Sequence, residues 1–264
     1  MSELPDSLRA ALEAFVKRSR ILIGADFDGT LAPFTTDPMQ SRAAPGALAS
    51  LYAAASLPGV TVALVSGRDL ETLRTLTAVP PTSPIVLVGS HGGQSSLGDI
   101  TGSATLGGLA AVRLAAASAD LEEVAAAHPG ARVELKPGAV AIHTRGVDSA
   151  VAAAALAAAM AVSSRHTGVH VIPGKQVVEL TVVETDKGQA LRAIANARSV
   201  EATAYFGDDV TDERAFAALD PRSGDVRVKV GQGNTLAEHR LEGVDDVVTM
   251  LAFMVSSRRL ASGE

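Results

Sequence analysis

The chain has 264 residues, a formal net charge of −6 and no cysteine. Its length suits one large domain or two modest ones, and we expect two. The lack of cysteine excludes disulfides, thiolate nucleophiles and thiolate zinc sites, and the lack of any Lys/Arg block argues against nucleic acid or an anionic membrane as partner.

Neither a signal peptide nor a membrane-spanning segment is indicated by the sequence. The first residues are acidic and interrupted by Pro5, unlike the basic and then apolar start of a signal peptide. The longest Ala-rich run, from Val151 to Val162, is too short for a bilayer, which needs roughly 20 apolar residues. We therefore expect a cytoplasmic protein without a membrane partner, and a monomer as the simplest state.

Apolar runs that end in glycine or a polar loop predict central parallel strands buried on both faces. They are Ile21–Ala25, Val60–Val65, Ile85–Val88, Thr203–Phe206 and Val226–Val230. Segments of helical period lie between them, at Pro45–Leu57, Leu70–Leu76, Lys187–Ala197 and Thr211–Leu219. This alternation predicts an α/β fold with a doubly wound, Rossmann-like parallel sheet.

The pattern changes from about residue 105 to residue 183. An Ala-rich helix, two strands, a second Ala-rich helix and two more strands give the order αββαββ. The predicted strand pairs are Ala131–Lys136 with Val140–Thr144 and Val169–Ile172 with Val177–Leu180. We predict an inserted α+β domain over residues 105–183, with residues 1–104 and 184–264 forming the core.

The first candidate for chemistry directly follows the first strand, as Asp26-Phe27-Asp28-Gly29-Thr30. Open α/β sheets bind ligands at the carboxyl ends of their strands. If the strand continues, Asp26 and Asp28 point the same way, so one carboxylate can attack phosphorus while the other carries a proton. The alternative is a turn, which explains most Asp-Gly pairs.

Two further motifs fall at suitable places. Ser66-Gly67-Arg68 follows the second strand, where a hydroxyl and close backbone N–H groups could hold phosphate oxygens. Lys187 opens a helix after the inserted segment, and its ammonium could offset the charge of nucleophile and phosphate. Taken alone, the Ser-Gly pair is weak evidence, and the lysine is more often a solvated surface residue.

The strongest local signal is the acidic stretch from Gly207 to Glu213 after strand Thr203–Phe206. Carboxylate and hydroxyl oxygens of this kind are what Mg²⁺ prefers. Asp209, Asp212 and Glu213 would also suit the N-terminus of the next helix. We predict that Asp208 binds metal directly, while its neighbours orient it or cap the helix.

These motifs together resemble the haloacid dehalogenase superfamily of aspartate-nucleophile phosphotransferases. Its four motifs match residues 26–31, Ser66, Lys187 and residues 207–212 in order and spacing. The resemblance implies a hydrolase core with a cap domain, in which Asp26 is the nucleophile and Asp28 the acid and base. It also implies Mg²⁺ held by Asp26, the backbone carbonyl of Asp28, and Asp208, with Asp209 and Asp212 in supporting positions.

The inserted segment carries a set of polar residues suited to sugar hydroxyls, each of which donates and accepts hydrogen bonds. On the first hairpin, Glu134 and Lys136 share one face, and His143 and Arg145 lie on the partner strand. The second hairpin carries Lys175 and Glu179. An ordinary solvated sheet face would give the same pattern.

These residues, followed by Asp-Lys-Gly and Gly-Asp-Asp-x-Thr-Asp-Glu, resemble the trehalose-6-phosphate phosphatase family. The resemblance implies hydrolysis of trehalose 6-phosphate through an aspartyl-phosphate. It assigns sugar contacts in the cap to residues Glu134, Lys136, Arg145, Lys175 and Glu179. Ser90-His91-Gly92 matches a family loop beside the active site, so His91 joins Gly67 and Arg68 as a substrate-binding candidate. The chain departs from the family at Gln94, often Glu, and at Thr144, commonly aromatic.

Two alternatives stay open at this point. Phosphatases of sucrose phosphate or mannosyl-3-phosphoglycerate resemble the same core with a similar cap. A catalytically idle sugar-phosphate sensor is the alternative from another class, although Asp26, Asp28, Lys187 and Asp208 are all present.

Overall fold

The computed structural model describes residues 3–98, 107–136, 138–174, 176–182 and 186–263. The chain forms two compact units, one of Met1–Thr101 with Thr185–Glu264 and the other of Gly102–Glu184. Over the ranges described, the helices are all too short or too polar to cross a membrane.

Eleven strands and eight α-helices make up the described parts of the two units. The strands are β1 (Ile21–Ala25), β2 (Val60–Val65), β3 (Val86–Gly89), β4 (Gln94–Ser95), β5 (Arg132–Lys136), β6 (Ala139–His143), β7 (His170–Gly174), β8 (Val177–Thr181), β9 (Ala202–Gly207), β10 (Val226–Val230) and β11 (His239–Leu241). The helices are α1 (Asp6–Phe15), α2 (Ala47–Ala55), α3 (Leu70–Thr77), α4 (Gly108–Ala127), α5 (Ser149–Ser163), α6 (Lys187–Ala197), α7 (Asp212–Ala218) and α8 (Val244–Ser262).

The first unit is built on a seven-stranded sheet in the order β11-β10-β9-β1-β2-β3-β4. Its strands pair in parallel except for β4, which runs antiparallel at the edge. All five residues of β1 are buried, as expected for a central strand covered on both faces.

The two faces of this sheet carry separate apolar cores. Ile21 and Ile23 of β1 pack in one core, which also receives buried side chains from α1, α2, α3 and α8. Leu22 lies in the other core with residues of α6 and α7. The alternation follows from the two-residue period of a strand, and it confirms the predicted doubly wound α/β fold.

The second unit contains a four-stranded antiparallel sheet in the order β5-β6-β8-β7. Val140, Ile142, Val178 and Leu180 form its core together with residues of α4 and α5. The observed order is αββαββ. Strand β6 ends at His143, one residue before its predicted end, and the next N–H, of Thr144, donates to the Gln176 carbonyl at 2.9 Å.

Candidate active site

The carboxyl ends of neighbouring parallel strands bring the sequence motifs to one edge of the sheet. Asp26 follows β1, Ser66 follows β2 and Asp208 follows β9. The Asp26 N–H donates to the Phe206 carbonyl at 2.9 Å, which continues the pairing of β1 with β9 past the strand end. This edge therefore joins residues that lie far apart along the chain.

Three carboxyl groups meet at this edge. Oxygens of Asp26, Asp208 and Asp212 all lie within 4.8 Å of one another. Asp26 and Asp212 are buried, and the Thr30 hydroxyl donates to Asp208 at 3.3 Å. The cluster is thus a compact set of hard oxygen donors.

Lys187, the first residue of α6, supplies a positive charge to this cluster. Its ammonium lies 2.9 Å from Asp26 and 2.7 Å from Asp212, and its side chain is only 2% exposed. Asp212 also accepts the Tyr205 hydroxyl at 2.7 Å and the Asp209 N–H at 2.9 Å. Both of its oxygens accept hydrogen bonds, so Asp212 holds Lys187 beside Asp26.

The charges of the cluster do not balance. Burial and the neighbouring Asp212 raise the pKa of Asp26 to about 7, although Lys187 opposes this rise. Burial and Asp212 likewise raise the pKa of Asp208. Burial alone would lower the pKa of Lys187, but Asp26 and Asp212 outweigh it and raise that pKa. A divalent cation would supply the missing positive charge, and the oxygens of Asp26 and Asp208 fit Mg²⁺.

Glycine is needed at two close approaches around the cluster. Gly29 has φ of +77°, and a Cβ there would lie 2.2 Å from a carboxylate oxygen of Asp208. A Cβ on Gly207 would lie 2.2 Å from the carboxyl carbon of Asp212. The backbone at Gly29 therefore packs directly against the Asp208 carboxylate, and the backbone at Gly207 against the Asp212 carboxylate.

Asp28 makes a different set of contacts from Asp26. Arg68 donates to its two oxygens at 2.5 and 2.8 Å, and the Ser41 hydroxyl donates at 2.9 Å. The structure thus joins two predicted site residues, Asp28 and Arg68, in one bidentate ion pair. A protonated carboxyl group cannot accept both guanidinium hydrogen bonds, so the pair has to open if Asp28 carries a proton.

The loop after β3 packs on the loop after β2. His91 has φ of +54°, and its N–H donates to the Ser66 carbonyl at 3.0 Å. Its ring covers Gly67 so closely that a Cβ there would lie 2.6 Å from the ring. Burial, reinforced by Lys187, lowers the pKa of His91. The buried Nδ1 of His91 has no hydrogen-bond partner among the described residues.

The polar candidates of the second unit lie on the sheet face opposite α4 and α5. Lys136 and Glu179 pair at 2.6 Å, and His143 and Glu134 pair at 2.7 Å. Arg145 is exposed in a turn after β6 rather than on the strand. Lys175 lies outside the described residues.

The structure adds three contributors that the sequence prediction did not name. Tyr205 on β9 and Ser41 in the loop before α2 each bind a site carboxylate. Lys229 on β10 is buried and donates to the Asp208 carbonyl. Lys229 alternates with valines in β10, a pattern typical of an exposed side chain, so no local signal indicated its burial. Ser41 lies in a loop that carries no pattern.

The fold defines the chain as a doubly wound α/β protein with a mainly parallel core sheet. The structure of Aspergillus fumigatus trehalose-6-phosphate phosphatase aligns with a TM-score of 0.59 at 24% identity, covering 97% of this chain and 100% of that one. The C-terminal domain of the Candida albicans trehalose-6-phosphate phosphatase aligns with a TM-score of 0.58 at 19% identity, covering 97% and 99%. At these identities the likeness shows the fold alone.

Sequence comparison defines the family. A family model described as trehalose-phosphatase matches residues 24–245. A trehalose-phosphate phosphatase of Mycobacterium marinum is 32% identical, over 99% of this chain and 67% of that protein. A trehalose-6-phosphate phosphatase of Escherichia coli is 34% identical, over 88% of this chain and 85% of that protein. The chain belongs to the trehalose-phosphatase family and is a phosphoric monoester hydrolase.

Proposed function

We propose that the chain hydrolyses trehalose 6-phosphate to trehalose and phosphate, with Mg²⁺ and a phosphorylated Asp26. The observation that carries the proposal is the buried cluster in which Asp26 lies beside Asp208 and Lys187. Family membership and the names of the relatives support the substrate. We also propose that residues 105–183 act as a cap on the core. The cytoplasmic location stays a prediction.

Asp26, Asp208 and the backbone carbonyl of Asp28 would hold the metal. When bound, Mg²⁺ would neutralise charge on the phosphate oxygens and on the nucleophile. Its fit rests on the carboxylate oxygens that lie within 4.8 Å of one another at this edge. Burial and the neighbouring Asp212 raise the pKa values of buried Asp26 and half-buried Asp208, as expected where carboxyl groups crowd together.

In the first step, an Asp26 oxygen attacks phosphorus while the bond from phosphorus to the sugar oxygen breaks. Lys187 stabilises the charge that accumulates on the transferring group, and the Ser66 and Gly67 backbone region holds its oxygens. Asp28 donates a proton to the departing sugar oxygen. Trehalose then leaves with its hydroxyl restored, and Asp26 carries the phosphoryl group.

The second step returns the enzyme to its starting state. Asp28, now ionised, removes a proton from water, and the water oxygen attacks phosphorus as the bond to Asp26 breaks. Both steps require the Asp28 carboxylate to separate from Arg68 at some stage. Arriving phosphate could recruit Arg68, since a guanidinium binds phosphate oxygens as well as it binds carboxylate.

The disaccharide would contact the polar face of the second unit. Glu134, Lys136, Arg145 and Glu179 would bind its hydroxyls, together with Lys175. In the core, His91 would bind near the phosphate, because its ring packs on Gly67 and its N–H donates to the Ser66 carbonyl.

A substrate panel tests the activity. Purified protein is incubated with trehalose 6-phosphate, sucrose 6-phosphate and mannosyl-3-phosphoglycerate, with Mg²⁺ or with a chelator, and released phosphate is measured. We expect the highest kcat/KM for trehalose 6-phosphate and no turnover without metal. Preference for another sugar phosphate would overturn the substrate assignment, and no turnover on any substrate would favour a sensor.

The covalent step needs a separate experiment. After rapid mixing with substrate labelled in the phosphoryl group, quenched protein should carry label that hydroxylamine removes, since acyl phosphates react with it. Asp26→Asn should carry none. Label that is retained in that variant would place the nucleophile elsewhere.

A further inference from the structure

Lys229 is a second buried lysine beside the carboxylate cluster of Asp26, Asp208 and Asp212, and its hydrogen-bond partner differs from those of Lys187. Its residue is 4% exposed, and its ammonium donates to the main-chain carbonyl of Asp208. Lys187 instead binds two carboxylates. A buried ammonium is costly, so its placement beside a backbone carbonyl requires a reason.

The register of the sheet explains why this carbonyl needs a donor. Lys229 pairs with Gly207, the last residue of β9, so Asp208 lies one residue beyond the ladder. The next residue after β10, Gly231, donates its N–H to the Leu241 carbonyl of β11 at 2.9 Å. The Asp208 carbonyl thus lies beyond the last residue pair of β9 and β10, and the Lys229 side chain donates a hydrogen bond to it.

The opposite side of Asp208 is also constrained. Its carboxylate packs against Gly29 and accepts the Thr30 hydroxyl at 3.3 Å. The residue is therefore held at its carboxylate by the loop after β1 and at its carbonyl by β10. The backbone conformation of Asp208 therefore determines where its carboxylate oxygens lie.

We infer that Lys229 is a positioning residue for the metal site, acting through the Asp208 backbone. This inference rests on the proposed role of Asp208 as a Mg²⁺ ligand. Lys229 fixes the peptide that follows Asp208, and through it the carboxylate that would hold the ion. Groups that orient a metal ligand commonly contribute about 10- to 100-fold to metal affinity.

The experiment measures Mg²⁺ binding directly as well as activity. Lys229→Met removes the donor while keeping most of the apolar stem. Lys229→Gln is shorter and polar, and it serves if the Met variant does not fold. Mg²⁺ affinity is obtained from the rise in Tm with MgCl2 concentration, and KM and kcat for trehalose 6-phosphate are measured at saturating Mg²⁺.

We expect either uncharged variant to weaken Mg²⁺ binding about 10-fold or more, with KM changed less than about threefold. Lys229→Arg, which keeps a charged donor, should bind Mg²⁺ more tightly than Lys229→Gln. The matched control is Arg227→Met on the same face of β10. Arg227 donates to Glu238 and to the Phe216 carbonyl, both at 3.0 Å, and makes no part of the metal site.

The outcomes separate this inference from the proposed function. Wild-type protein that gains no stability from Mg²⁺ would overturn the metal site itself. If the wild type binds Mg²⁺ and Lys229→Met or Lys229→Gln binds it with the same affinity, only the role of Lys229 is overturned. Equal weakening by Arg227→Met would also overturn it, because the effect would then belong to β10 in general.

Discussion

The carboxylate cluster of the first unit and the polar sheet face of the second unit are both ionic, yet they are built differently. Asp26, Lys187 and Asp212 are almost fully buried, and Lys187 contacts both carboxylates. On the polar face, Lys136 with Glu179 and His143 with Glu134 form separate, partly exposed pairs.

The difference in burial has energetic consequences. In the cluster, removing Lys187 would leave the buried carboxylates Asp26 and Asp212 without compensation, which costs several kcal/mol in general. An exposed ion pair contributes about 0–1 kcal/mol, so its members can exchange partners cheaply. The cluster therefore holds its side chains in one geometry, as catalysis requires. The ion pairs of the polar face can be replaced at little cost by hydrogen bonds to the hydroxyls of a ligand.

The largest expected effect comes from Asp26→Asn. An amide cannot act as the nucleophile, so kcat should fall about a thousandfold or more, while the fold is kept. Phosphate release and circular dichroism provide the measurements. Asp69→Asn is the matched control, because Asp69 caps α3 by accepting the Thr72 N–H, and asparagine caps equally well. Near-normal turnover in Asp26→Asn would remove the proposed mechanism.

Gly29→Ala should be the next most damaging change. Its methyl group would collide with the Asp208 carboxylate, in addition to the cost of about 1–2 kcal/mol for a left-handed non-glycine residue. We expect kcat to fall about 100-fold, with weakened Mg²⁺ binding.

Gly146→Ala in the second unit separates the two costs of that change. Gly146 has φ of +83°, but a methyl group added there would meet no described atom within 4 Å, so the variant should lose stability and keep kcat. Phosphate release and Tm are measured for both alanine variants. If the two behaved alike, the close approach to Asp208 would not matter.

A smaller effect should appear in the pH dependence of stability without metal. The pKa of Asp26 is raised to about 7, so the folded state holds a proton that the unfolded state releases near pH 4. The stability from this group is full below about pH 4 and is lost as the pH rises through 7. In the presence of a chelator, the Tm should therefore fall between about pH 4 and about pH 7. Asp26→Asn should flatten that fall; an unchanged slope would assign it to other groups.

The smallest effects belong to the polar face. Glu134→Ala and Glu179→Ala should each raise KM about 10-fold and change kcat and Tm little. This holds if Glu134 and Glu179 bind the substrate and the transition state equally well. Glu122→Ala, at an exposed position of α4, is the control and should change neither kinetic constant. An unchanged KM in both variants would show that Glu134 and Glu179 belong to an ordinary solvated sheet face and do not bind the substrate.

The sequence predicted much of the core because its signals are local. Strands β1, β2 and β10 have their predicted bounds: β1 and β2 are largely apolar runs, and in β10 three valines alternate with Arg227 and Lys229. Strands β4 and β11 were missed because two or three residues are too few to show a period. The acidic stretch after β9 was predicted as a metal site, but nothing local indicated that both oxygens of Asp212 would be occupied.

Periodicity and chain order are properties of adjacent residues, so they predict the order of strands and helices and the polar residues that follow each strand. Three contacts became known from the folded chain: Arg68 pairs with Asp28, Lys187 lies between Asp26 and Asp212, and Lys229 donates to the Asp208 carbonyl. Those pairings depend on the register of neighbouring strands and on packing between residues distant along the chain, and a single sequence carries no local signal for either.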